Sequence, residues 1–269
     1  MRLSVNEHND AEAYLEEKDL KNDAFDKLRV IARYYIDNDY NIDEVKEQLR
    51  VFVANCGENY TLNVWHDMIE AAAKRAKKTP AILIDYVSVT EPEMEVIAKI
   101  KGIRARRFAF TLLCLKKYYN AIRENNNGWI CVKHSELMRL ANIKISLDGQ
   151  AELYRVLIDA GLIELPDKLN RVAIHVTFDD IEGKEAVRVD DFRSIGNQYM
   201  MATGGPYYRC HECGLVVRMP GGKKRTKPYK YCKECAIKVK TRQSIESVMK
   251  KYYKDVEDID VKISRTQVL

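Results

Sequence analysis

Two cysteine pairs, Cys210-His211-Glu212-Cys213 and Cys232-Lys233-Glu234-Cys235, constrain this chain more than any other feature. Four thiolates at this spacing, with 18 residues between the pairs, can close a tetrahedral site around one zinc ion. Two disulfides, or a single redox dithiol, are the competing readings. The opening MRLSVNEHNDAEAYLEEKD lacks the apolar core of a secretory signal. We therefore expect a cytoplasmic protein, and a reducing cytosol disfavours structural disulfides. A redox CxxC sits in a βαβ setting, and neither pair lies in one. The preferred reading is one structural Zn2+ on Cys210, Cys213, Cys232 and Cys235. Such a site has no open coordination position, which assigns it to folding rather than catalysis.

The residues around the pairs predict the local form. Gly214 follows the first pair, where a tight knuckle needs a left-handed residue. Leu215 to Met219 reads as a strand, Pro220-Gly221-Gly222 as a turn, and Tyr229-Lys230-Tyr231 as the returning strand. A long helical pattern follows Cys235, so the second pair sits at a helix N-terminus, whose dipole favours thiolates. Knuckle, hairpin and ligand-bearing helix, in that order, resemble a treble clef finger.

Charge is concentrated in the same segment. From Gly204 to Lys254 there are 14 basic and 3 acidic residues, a net +11. The whole chain carries +5, so the remainder is net −6. A positive pole of this size points to phosphate backbone or to an acidic protein surface; a solvated loop and helix face are the bland alternative. The residues assigned to nucleic-acid contact are Arg218, Lys223, Lys224, Arg225, Lys227, Lys230, Lys238, Lys240 and Arg242. Tyr207, Tyr208, Tyr229 and Tyr231 interleave with them and fit either base stacking or packing against the metal core.

The rest of the chain predicts a mainly helical protein with small β elements. A hydrophobic content of 46% and a charged content of 32% are globular values. No apolar run approaches membrane-spanning length. Cys56, Cys114 and Cys131 sit among apolar neighbours and read as buried thiols. Residues 24–36 carry a helical apolar stripe. Asn41 to Glu44 reads as a capping box opening a helix with Val45, Leu49, Val51, Phe52 and Ala54 inside. Thr61 is placed as the cap of a third helix through Val64, Trp65, Met68, Ile69 and Ala72. Thr90-Glu91-Pro92-Glu93 opens another helix. The expected domains are helical over 1–101, a second domain over 102–203, the finger with its basic helix over 204–254, and a tail over 255–269.

The second domain reads as a helix over 104–123, a short strand at Trp129 to Val132, a helix capped by Ser135, a helix over 149–160, and a hairpin from Leu162 to Phe178. Over residues 103–180 this order resembles a winged helix. The resemblance implies that residues 149–160 form the recognition helix, with Lys168 and Arg171 on the wing. Gln150, Glu152, Arg155 and Asp159 on that helix suit phosphate poorly, so DNA contact and protein contact both stay open. Residues 184–193 read as a further strand, and 195–206 as a linker into the finger.

The stretches LRVIARYYIDNDYNIDEV, RARRFAFTLLCLKKYYNAI and DDFRSIG are similar to pieces of uncharacterised phage and mobile-element proteins. That resemblance implies a mobile-element setting and no activity. The paired CxxC layout also resembles zinc-bearing HNH nucleases, but that family needs a histidine between the pairs, and Gly214 to Tyr231 contains none. The expectation is a non-enzymatic, DNA-binding or other nucleic-acid-binding protein acting in replication or transcription control. The alternative is a phage-encoded interaction module or inhibitor directed at an acidic protein or host nucleoprotein complex.

Overall fold

The computed structural model describes residues 5–57, 62–123, 125–166, 173–178, 182–222 and 229–266. The fold is mainly α with small antiparallel sheets. It divides into two compact units, Met1–Tyr199 and Met200–Leu269. The positions expected as a boundary, 101 and 102, lie inside the first unit.

The first unit opens with four helices: α1 (Glu7–Glu17), α2 (Ala24–Asp37), α3 (Ile42–Asn55) and α4 (Leu62–Ala76). Leu28, Ile31, Val45, Leu49, Phe52, Val53, Ile69 and Ala72 form their common core. Asn41 starts α3 as the sequence implies. Its side chain accepts from the backbone N–H groups of Asp43 and Glu44, and the Glu44 carboxylate accepts from the Asn41 N–H at 2.8 Å. Val51 and Ala54 face solvent on this helix, and Val53 takes the inward position instead. Val64, expected inside α4, is exposed. The expected cap at Thr61 lies outside the described residues. The helix α1 escaped sequence reading because its stripe is weak; Asn6 caps it, accepting from the N–H groups of His8 and Asn9.

A buried ion pair locks this bundle. Arg33 donates to both Glu7 carboxylate oxygens at 2.7 and 2.6 Å, and the Ile82 N–H donates to the same carboxylate at 3.1 Å. Arg29 approaches it at 3.6 Å. A buried carboxylate stays ionised only with such partners.

The strand β1 (Val87–Thr90) pairs antiparallel with β5 (Glu185–Val189). The stretch expected as a strand leaving the second domain therefore returns to the segment before α5 (Glu91–Ala98). Thr90 and Glu93 complete a second capping box there. The helix α6 (Ile103–Ile122) is the unit's central element, burying Phe108, Phe110, Leu112, Leu113, Leu115 and Tyr118.

Around α6 lie β2 (Trp129–Ile130), α7 (His134–Leu140), α8 (Leu147–Asp159), β3 (Ile163–Glu164) and β4 (Ile174–Val176). The three strands form one antiparallel sheet in the order β2-β4-β3. Ser135 does not cap α7: the helix begins at His134, with Lys133 at the cap position and no side-chain cap bond. The helix α8 starts two residues before the expected Gly149, because the Ser146 hydroxyl accepts from the Gly149 N–H. Leu153, Tyr154 and Leu157 are its buried face, whereas Ile158 is exposed. The wing residues Lys168 and Arg171 lie outside the described residues.

The expected linker is instead α9 (Ile195–Ala202), whose Ile195, Gly196, Asn197, Gln198 and Tyr199 are buried. Gly196 permits this. A Cβ there would run into the Ala141 carbonyl, so only glycine lets the helix sit against the end of α7. The polar and glycine-containing composition that suggests a linker is here a close-packing surface.

The second unit contains β6 (Tyr207–Arg209), β7 (Val216–Arg218), a 3-10 turn at Pro220–Gly222 and α10 (Lys233–Thr266). The helix α10 continues through the positions assigned to the tail.

Candidate metal centre

The first cysteine pair sits at the turn between β6 and β7, which pair antiparallel from Tyr207 opposite Arg218 to Arg209 opposite Val216. Cys210 donates its N–H to the Leu215 carbonyl at 3.0 Å, and Gly214 donates to the Cys210 carbonyl at 2.9 Å. Gly214 adopts φ 71°, the left-handed conformation that closes the knuckle without a Cβ penalty. The hairpin partner of β7 is thus β6, ahead of the first cysteine. Tyr229 to Tyr231, expected as the returning strand, form no strand.

That later segment is fastened to the knuckle by single bonds. The His211 N–H donates to the Lys230 carbonyl at 2.8 Å, and the Tyr208 hydroxyl donates to the Tyr231 carbonyl at 2.9 Å. The Tyr208 and Tyr229 rings stack with centroids 5.4 Å apart. Tyr208 is therefore used within the finger, through both its ring and its hydroxyl. These bonds carry the chain into the second cysteine pair at the start of α10.

The four sulfurs of Cys210, Cys213, Cys232 and Cys235 lie within 4.8 Å of one another. Cys213 and Cys232 are 3.9 Å apart at sulfur. Thiolates held about 2.3 Å from a tetrahedral metal ion are about 3.8 Å apart, so the arrangement fits a single ion. All four cysteines are free of disulfides. Backbone N–H groups already point at the sulfurs: Cys232 donates to Cys210 Sγ at 3.3 Å, and Cys235 to Cys232 Sγ at 3.5 Å.

The electrostatics of the four thiols are unequal. Burial alone would raise Cys210, but N–H donors from Cys232, Cys213 and Glu212 outweigh it and bring the thiol down to about 6. Burial, followed by the neighbouring thiols, pushes Cys235 up, and burial also raises Cys213. Four mutually close thiolates repel one another, and a bound dication removes that repulsion. The site as arranged can hold a metal ion and offers it no vacant position for a substrate.

The assigned basic residues separate into three groups. Arg218 and Lys230 are exposed beside the knuckle. Lys223, Lys224, Arg225 and Lys227 lie outside the described residues. Lys238, Lys240 and Arg242 are exposed on α10 but do not share one face. Lys238 and Arg242 are one turn apart, whereas Lys240 lies across the helix. Arg242 also donates to the Glu212 carboxylate at 2.9 Å, tying α10 to the knuckle. Lys233, absent from the assigned set, is exposed and lies two turns from Lys240 on the same side. Its position within the second cysteine pair, N-terminal to the helix pattern, was the available signal.

In the first unit, Arg155 of α8 lies between Glu152 at 3.9 Å and Asp159 at 3.7 Å. Its charge is therefore opposed by two carboxylates on the same exposed face. Among the described residues no helix is long and apolar enough to cross a membrane. No protein family, curated protein or solved structure matches the chain.

Proposed function

We propose that this chain is a zinc-stabilised nucleic-acid-binding protein in which the C-terminal finger grips phosphate. The observation that carries the reading is the set of exposed cations, Arg218, Lys230, Lys233, Lys238 and Lys240, on a knuckle and helix whose geometry four cysteines fix. Cations mounted on a rigid support contact a phosphate backbone at lower entropic cost than cations on a free loop. The ion is Zn2+, because a mononuclear all-thiolate site suits a soft tetrahedral cation. The role is binding, not catalysis: the ligand set is closed, and no histidine stands between the pairs to act as a general base. The resemblance to mobile-element proteins gives a phage or mobile element as the setting, with replication or transcription control as the process.

The β2-β4-β3 sheet beside α7 and α8 supports the winged-helix reading of the first unit. Its recognition-helix equivalent, α8, presents Glu152 and Asp159 on either side of Arg155. That acidic face favours protein contact, and it supports the second reading, an interaction module or inhibitor of a host nucleoprotein complex. In either case α8 is not used to read bases.

Fluorescence anisotropy of the zinc-loaded chain on duplex DNA and single-stranded RNA, across a salt series, tests the phosphate grip. With about six phosphate contacts, affinity should fall by about 1,000-fold or more between 50 and 200 mM salt. Charge reversal at Lys238 and Lys240 should weaken binding and flatten that slope. Absence of binding at low salt would remove the nucleic-acid reading and direct attention to an acidic protein partner.

A further inference from the structure

Ile245, Val248, Met249 and Tyr252 of α10 are 59%, 67%, 46% and 63% exposed. They stand at i, i+3, i+4 and i+7 of one helix. At 3.6 residues per turn the four fall within an arc of about 100° and a length of about 10 Å. In α3 the apolar positions Val45, Leu49 and Phe52 are buried, as expected of a helix that packs on its own core. The face on α10 has the same kind of spacing but lies open to water. That spacing is the one by which an amphipathic helix fills an apolar groove.

We propose that this face docks into an apolar groove, rimmed by carboxylates, on an acidic partner protein. The charges around the face select that occupant. From Lys238 to Lys250 the helix presents four exposed basic side chains, Lys238, Lys240, Arg242 and Lys250, against one acidic side chain, Glu246. The 2.9 Å bond from Arg242 to Glu212 still leaves the Arg242 side chain 61% exposed. An acid-rimmed groove answers both features at once: its floor covers the apolar side chains and its rim pairs with the cations.

Other occupants answer only one feature. A phosphate backbone pairs with the cations but offers nothing apolar to the four side chains, so this contact is additional to the phosphate grip. The same face of a second copy is apolar, but it brings a like excess of positive charge against itself. A bilayer surface takes an amphipathic helix along its length. Here the arc is interrupted toward the finger, where it holds Thr241, Lys238 and Glu234 with Ile237 at its edge. Two turns of apolar face suit a groove.

Calmodulin serves as the probe, because it is an acidic protein whose Met-rich apolar groove opens only when calcium is bound. Binding to the full metal-loaded chain is measured calorimetrically, once with calcium-loaded calmodulin and once with calmodulin prepared calcium-free, no chelator being present in either. Both forms are acidic and only one has an open groove, so the calcium-loaded form should bind about 10-fold tighter or more. Val248→Ser combined with Met249→Ser leaves every charge in place. It should remove most of that difference while metal content and helicity stay unchanged. Equal affinity for the two forms, or a difference that the serine pair leaves intact, would overturn the proposal. A doubled mass in sedimentation equilibrium that the serine pair returns to the 31.2 kDa of one chain would overturn it in favour of a second copy. Binding to phosphatidylserine vesicles that the serine pair abolishes, without calcium-dependent calmodulin binding, would overturn it in favour of a bilayer.

Discussion

In the unit ending at Tyr199, Phe108, Phe110, Leu112, Leu113 and Tyr118 are enclosed around one helix, and Leu28, Ile31, Leu49 and Ile69 around another set. In the unit beginning at Met200, the buried residues of the described chain include Cys210, Cys232, Cys235 and Val216. The first unit holds its shape by removing apolar surface from water, with a buried ion pair and two capping boxes fixing the geometry. Among its described residues the second encloses little apolar surface, and its four sulfurs converge on one point. The difference is instructive about charge as well. A metal-stapled finger can carry cations on most of its outer surface because no core has to be covered.

The largest effect that separates the two units is metal removal. Structural zinc contributes about 10–16 kcal/mol to small finger peptides at neutral pH, more than such a finger's few buried side chains can supply. A strong chelator, or Cys210→Ser, should abolish the folded finger as followed by NMR dispersion of residues 205–235. The thermal midpoint of the first unit should stay where it was. Unfolding of both units together on chelation would break the comparison, since it would mean that the body also depends on the metal.

The reverse experiment strikes the body and spares the finger. Glu7→Gln leaves Arg33 buried without its charged partner and replaces one of the two acceptor oxygens, which serve Arg33 and the Ile82 N–H, with an NH2 donor. Breaking one side of a buried pair costs about 3–5 kcal/mol. Urea denaturation should show the first unit destabilised on that scale, with bound-metal content unchanged. A change under about 1 kcal/mol would indicate that water reaches the pair, placing it in the surface class.

Much of this was legible in the sequence, and the misses have physical causes. The four-cysteine cluster, the left-handed Gly214 and the Asn41 capping box are local: each depends on residues a few positions apart within its motif, and each is legible directly. The failures were of pairing and of contact. Tyr229–Tyr231 read as the return strand of the finger because they follow the turn, yet β7 pairs backwards with Tyr207–Arg209, which the sequence leaves indistinguishable from a linker end. Residues 195–206 carry glycines, a proline and polar side chains, so they read as loop. Only the approach of Gly196 to the Ala141 carbonyl shows that a small residue was needed for packing. The cysteines announced the metal site because their chemistry is narrow. The lysines announced only a sign of charge, and the structure then set Lys238 and Lys240 on different sides of one helix.

The smallest effect concerns how the two units start a helix. Asn41 caps α3 through its side-chain oxygen, which accepts from Asp43 and Glu44 at 3.0 and 3.1 Å. Cys232 occupies the same position before α10, and its sulfur accepts from the Cys235 N–H, three residues on, as Asn41 does from Glu44. One cap is an amide oxygen and nothing more; the other also belongs to the four-sulfur cluster placed to hold a metal ion. Asn41→Ala should therefore cost only about 1 kcal/mol, seen as a fall of about 2–4 °C in the midpoint of a unit of this size. Cys232→Ser keeps an oxygen cap acceptor of the kind that serves α3 but removes a thiolate. If capping were what Cys232 chiefly supplies, Cys232→Ser would be as mild as Asn41→Ala and the finger would keep its metal. Loss of metal from Cys232→Ser, beside a small shift for Asn41→Ala, assigns the start of α10 to the metal and the start of α3 to the cap.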